Sequence, residues 1–199
     1  MRIISGSAGG IPLKVPKAVA RPTADRVRES LFSVLGSHVV GVRVLDLFAG
    51  SGALGIEALS RGAAGAVFVE QHRQACSTIR ENLAKARLDG SGKVVTADAF
   101  RFLDRRHGGT EFGILFADPP YHKSPGDRDF GAELLAAPGL RSLASPGAFF
   151  VLETAAGQPH DSPQGWQLID QRTYGSSTLW FFQAPTTEGD GGSAGLSSL

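Results

Sequence analysis

A short apolar strand, a glycine turn and a helix follow one another over residues 43–60, and few folds accommodate that order. Arg43-Val44-Leu45-Asp46-Leu47-Phe48 is β-branched and aliphatic, Gly50-Ser51-Gly52-Ala53-Leu54-Gly55 comes next, and Ala53–Ser60 reads as a helix. Glycines let the backbone turn sharply and let a ligand approach it closely. The spacing matches G-x-G-x-x-G, and Glu70 stands twenty residues beyond Gly50, at the end of the next apolar run. An acid there can bond both hydroxyls of a ribose, at the carboxyl edge where open parallel sheets collect nucleotides. Gly50, Ser51, Gly52 and Glu70 are therefore expected to line a nucleotide-type site.

The alternation continues along the chain. Strands are predicted over 66–70, 93–97, 112–117 and 148–153, with helices at 72–87, 100–105 and 132–143. Before the first core strand, Thr23 can cap a helix over 23–35. Strands alternating with helices imply a mainly parallel, doubly wound α/β sheet with right-handed crossovers. Two last strands, 166–173 and 178–183, are joined by Tyr174-Gly175-Ser176-Ser177 and are expected to pair as an antiparallel hairpin. Residues 1–20, broken by Gly9-Gly10, Pro12 and Pro16, read as an extended or hairpin appendage. The domain proper is then 21–184, and the Gly- and Ser-rich tail 185–199 is expected to be disordered.

Asp118-Pro119-Pro120-Tyr121 directly follows the strand ending at Ala117, so it faces the same crevice as the glycine turn. An exocyclic amine on a nucleic-acid base is a poor nucleophile because its lone pair is delocalised into the ring, so both its N–H bonds must be held. Asp118 can accept one hydrogen and the main-chain carbonyl of Pro119 the other; consecutive prolines fix that carbonyl because their φ angles are locked. Tyr121 can stack on the base and help offset the cost of extruding it. A grip on an amine beside a ribose-binding acid points to methyl transfer from S-adenosylmethionine rather than to a dinucleotide. Asp98 can then accept from the adenine amine of that cofactor while Ala99 offers a backbone N–H, and an N-cap role for Asp98 can coexist with this. Asp46 can either contact the cofactor's methionine amine or orient the glycine turn.

Composition excludes several other classes. At 199 residues, 42% hydrophobic and 20% charged, the chain fits one globular domain. It has no apolar run of about 18 residues to span a membrane, and its start lacks a secretory signal. The single cysteine, Cys76, can form no internal disulfide, so a reducing cytoplasm is expected. His38, His72, His107, His122 and His160 are scattered, so no metal is expected. Net charge is only +1, but Arg2, Lys14, Lys17, Arg21, Arg26 and Arg28 outnumber Asp25 and Glu29 in the first 42 residues, a surplus that can meet phosphates.

Across nearly all of residues 1–184 the sequence resembles the bacterial methyltransferases that modify guanine N2 in small-subunit ribosomal RNA. The resemblance rests on Met1-Arg2-Ile3-Ile4-Ser5-Gly6, the stretch from Arg21 to Phe32, Leu45-Asp46-Leu47-Phe48-Ala49-Gly50-Ser51-Gly52, Asp118-Pro119-Pro120-Tyr121 and Tyr174-Gly175. It implies the Rossmann-like class I methyltransferase sheet of seven strands, S-adenosylmethionine as cofactor, and a guanine of 16S ribosomal RNA as substrate. It also places Phe48 beside the cofactor and Arg21, Arg26 and Arg28 against RNA. A monomer acting on an assembling small subunit is expected. Ser7-Ala8-Gly9-Gly10 stands where relatives carry more lysine. Adenine N6 methylation, a nicotinamide dehydrogenase and a non-catalytic RNA-binding assembly factor remain alternative readings.

Overall fold

The computed structural model describes residues 1–16, 25–105, 109, 111–121, 128–157 and 165–186. In chain order the elements are α1 (Asp25–Leu35), β1 (Arg43–Leu47), α2 (Ala53–Ser60), β2 (Gly65–Glu70), α3 (Arg73–Ala86), β3 (Gly92–Thr96), α4 (Ala99–Leu103), β4 (Phe112–Ala117), α5 (Phe130–Ala136), α6 (Pro138–Ser142), β5 (Ala144–Ala155), β6 (Gln167–Tyr174) and β7 (Ser177–Gln183). The seven strands form one sheet in the order β3-β2-β1-β4-β5-β7-β6. The first five run parallel, and β7 is antiparallel to both β5 and β6. The doubly wound sheet and the closing hairpin are thus as the sequence predicts.

Alternation along each strand splits the apolar residues between two layers. Val44, Phe68, Ile114, Phe116, Val151 and Phe181 face α1, α2 and α3, whereas Leu45, Val69, Leu115, Phe150, Leu152 and Phe182 face α4, α5 and α6. Fully burying one such side chain stabilises the fold by about 1.5–3 kcal/mol, which is why the central strands read as unbroken apolar runs. The helix expected over 132–143 is in fact two. Pro138 cannot donate the backbone bond a continuous helix needs, so α5 ends at Ala136 and α6 begins with that proline.

The N-terminal segment departs further from expectation. Its backbone does fold back on itself, with the Ile3 N–H donating to Ile11 (2.9 Å) and the Gly10 N–H to Ile3 (2.8 Å). It is no appendage, however, because Ile3, Ala8 and Leu13 are buried in the α1–α3 layer. The reason lies in α2, all eight of whose residues are buried. A helix buried all round must be covered on both sides; the sheet covers one side and this segment the other. Glu57, in the middle of α2, accepts the N–H groups of Ile4 (2.7 Å) and Ser5 (3.0 Å) and is paired with Arg61. Gly6 fits because a Cβ there would stand 1.9 Å from the Ser60 carbonyl oxygen. The tail beyond Thr186 lies outside the described residues.

Candidate active site

The turn after β1 is held by side chains from three elements. The Gly50 N–H donates to Glu70 Oε2 (2.9 Å), whose other oxygen accepts the His72 N–H (2.8 Å). Asp46 Oδ2 accepts the Gly55 N–H (2.9 Å) from β1. On α3, Asn82 donates through Nδ2 to the Ser51 carbonyl and to the Lys14 carbonyl (both 3.0 Å), and accepts the Lys14 N–H through Oδ1 (2.8 Å). The backbone is left-handed at Phe48 (φ 57°), Gly50 (φ 54°) and Gly52 (φ 78°). That geometry disfavours a side chain, so the two glycines are required by the turn and Phe48 is a strained position.

Glu70 and Asp46 are both buried, and their roles differ. Each oxygen of Glu70 takes a backbone N–H, and a carboxylate oxygen has room for a second donor. Asp46 bonds the first turn of α2, just past the glycine turn. Burial pushes its carboxyl up to about 8, opposed by the Gly55 N–H and reinforced by the nearby charge of Glu70. Asp98 caps α4, accepting the Arg101 N–H through Oδ1 (3.0 Å), with Ala99 opening that helix. The Phe48 ring meets Phe100 and Phe130 edge-on (centroids 6.3 and 5.8 Å), and the Arg128 guanidinium lies 4.4 Å from the centre of Phe100.

Strand register brings the tetrapeptide to this turn. Leu47 pairs with Ala117, so Phe48 and Asp118 leave adjacent strands at the same level. Pro119 is buried and Pro120 exposed. The Tyr121 hydroxyl donates to Glu153 Oε1 (2.8 Å) and lies 2.8 Å from Ser177 Oγ; with its one proton committed to Glu153, it accepts from the serine. Burial, the largest effect, and the carboxylates of Glu153 and Asp118 push the phenol above its ordinary range, against the Ser177 bond, so the ring stays neutral. Pro119, Pro120, Tyr121, Phe130, Glu153 and Thr154 share the walls of one small cleft.

The three arginines expected on RNA part company. Arg26 is exposed on α1, and Arg21 lies outside the described residues. Arg28 is fully buried, which removes it from any surface contact: it donates to Asp25 Oδ1 (2.9 Å) and to the Arg2 carbonyl, pinning the N-terminal segment. Burial lowers its pKa, opposed by Asp25, Glu57 and Glu29. Sequence reasoning missed Asn82, Glu153, Ser177 and Glu57. For Glu57 a signal existed, a charge inside the apolar helix Ala53–Ser60; Asn82 sits in an amphipathic helix with nothing to mark it. Among the described residues no cluster of His, Cys, Asp or Glu is arranged to hold a metal, and no helix is long and apolar enough to cross a membrane.

A parallel sheet closed by an antiparallel hairpin, with a glycine turn and an edge acid beside Asp-Pro-Pro-Tyr, defines the Rossmann-like class I methyltransferase fold. Residues 1–183 match the family described as Conserved hypothetical protein 95, and the chain belongs to that family. It is 46% identical over 124 residues to ribosomal RNA small subunit methyltransferase D of Escherichia coli K12; that stretch is 62% of this chain and spans 61% of the relative's length. The Haemophilus influenzae protein of the same name is 31% identical over 185 residues, covering 92% of this chain and 93% of its own. The solved structure of the Escherichia coli protein yhhF superposes with a TM-score of 0.80 at 35% identity, over 94% of this chain and 99% of that one. The resemblance seen in the motifs is a family relationship.

Proposed function

We propose that this protein transfers a methyl group from S-adenosylmethionine to the exocyclic N2 amine of a guanine in 16S ribosomal RNA. The observation that carries this reading is the register that sets Asp118 beside Phe48, at the mouth of the glycine turn. The site's chemistry fits the cofactor: a turn left-handed at Gly50 and Gly52, an acid at the end of β2, and a second acid at the end of β3. Glu70 would hold the ribose, Asp98 and Ala99 the adenine, and Phe48, Gly50, Ser51 and Gly52 would line the turn beneath. When bound, the cofactor supplies an electrophilic methyl on sulfur.

The chain's own residues do the rest. Asp118 and the Pro119 carbonyl hold the two amine hydrogens, which turns the nitrogen lone pair toward the crevice. As the new N–C bond replaces the methyl's bond to sulfur, the amine must give up one proton, and the Asp118 carboxylate would be the base in place to receive it. Tyr121, fixed by Glu153 and Ser177, would stack on the base. Rate then comes mainly from positioning. Arg26, with Arg21, would meet RNA phosphates.

The relatives' name supports small-subunit RNA as substrate. We further propose that the protein acts as a cytoplasmic monomer on an assembling small subunit. Mapping N2-methylated guanines in ribosomal RNA with and without the gene tests the whole reading. One guanine should lose its methyl when the gene is deleted and regain it on restoration; an unchanged pattern would leave a non-catalytic RNA binder.

A further inference from the structure

We infer that Glu153 selects the base, its carboxylate accepting the ring N1–H that guanine carries and adenine lacks. This rests on the amine grip proposed for Asp118 and Pro119. Glu153 is 6% exposed, two residues before the end of a strand whose residues from Ala148 to Leu152 are all buried and apolar. A carboxylate is costly to bury unless its oxygens are bonded, and its two oxygens together can accept several hydrogen bonds, that of the Tyr121 hydroxyl among them.

Register puts it next to the amine grip. Ala117 pairs with Leu152, so Asp118 and Glu153 each stand one residue past a paired position on adjacent parallel strands. Phe116 and Val151 both face the α1–α3 layer, and residues two further along continue that face. Neighbouring strands are about 4.8 Å apart, and Glu153 lines the same cleft as Pro119, Pro120 and Tyr121. On guanine the N2 amine and N1–H are adjacent donors on one edge. With N2 held at the end of β4 and the N1 side of the ring turned toward β5, the Glu153 carboxylate would accept the N1–H. Adenine gripped by its N6 amine would bring the lone pair of N1 against that carboxylate, and two acceptors repel.

The test uses full-length protein and small-subunit particles rebuilt with guanine or 2-aminopurine at the mapped position. 2-Aminopurine keeps the N2 amine and has a lone pair at N1. Wild-type protein should methylate guanine roughly 10- to 100-fold better in kcat/KM, the discrimination typical of a well-made hydrogen-bond pair to a base. Glu153→Gln keeps an oxygen for Tyr121 but can also donate, so guanine should fall by a similar factor while 2-aminopurine holds or rises, and particle binding should show the same convergence. Ser177→Ala, which loosens Tyr121 from its other side, should lower both substrates together. Equal losses on both bases in Glu153→Gln would overturn the assignment and leave Glu153 a support for Tyr121. Absence of any N2 methyl from the wild-type protein on guanine would instead overturn the underlying reading, and this assignment with it.

Discussion

The two walls of the crevice are built by different means. On the glycine side, Asp46, Glu70 and Asn82 reach in from β1, β2 and α3, and each bonds backbone of residues 50–55. On the Asp-Pro-Pro-Tyr side, the hydroxyl of Tyr121 is held by two other side chains, Glu153 on β5 and Ser177 at the start of β7. Buried side chains bonded to backbone fix the course of the chain, and so the shape of a site, before anything enters. Side-chain bonds fix where a ring points. The first arrangement suits a small ligand that is always the same; the second suits a large substrate from which a single base must be admitted and aimed.

That contrast can be broken from either side. The largest effect is expected for Asp118→Ala: turnover should fall on the order of 10³-fold, as when a single preorganised group is lost from a reacting centre, while S-adenosylmethionine affinity measured by calorimetry stays within a few fold. A matched fall in cofactor binding would mean that the two walls are not separate. Asn82→Ala attacks the other wall. It leaves the backbone of Lys14 and Ser51 without buried partners, so stability should drop by about 2–3 kcal/mol in denaturant unfolding. Cofactor affinity should weaken with it, whereas the specificity between bases should not change.

Tyr121→Phe sharpens the comparison, because it keeps the ring and removes only its tether. Loss of about one hydrogen bond's net contribution, ~1 kcal/mol, predicts a several-fold rise in KM for RNA with cofactor affinity untouched. The smallest effect is a slope. Asp46 keeps its proton to about pH 8 in the folded protein and releases it near pH 3.8 when unfolded. Between those values the folded state binds more protons, so this group's contribution to stability is complete at low pH and fades as pH rises toward 8. Asp46→Asn retains an acceptor for the Gly55 N–H and should flatten that decline in thermal midpoints measured from pH 5 to 8. An unchanged slope would show that Asp46 is charged inside the fold.

Much of the scaffold was legible residue by residue. The run Val44–Leu47, the glycines at 50 and 52 and the acid at 70 gave strand, turn and edge, because strand and helix periodicity are local properties of the chain. The boundaries of α5 and α6 were not legible, although Pro138 was in view, since the apolar pattern continued across it. Arg28 misled: among other basic residues it read as a phosphate contact, but it points inward to Asp25 and the Arg2 carbonyl. Its direction is set by how α1 rotates against the sheet, which charge alone does not reveal.

The sequence by itself determined the alternation of strands and helices, the glycine turn, the edge acid and the place of Asp-Pro-Pro-Tyr at the end of β4, all of them consequences of neighbours within a few residues. Only the tertiary structure decided that the first sixteen residues close over α2, that Asn82 holds two segments at once, and that Glu153 lies beside Asp118. Those pairings join positions 31 to 68 residues apart, and such contacts are fixed by which faces of the sheet must be covered, a condition no local pattern encodes.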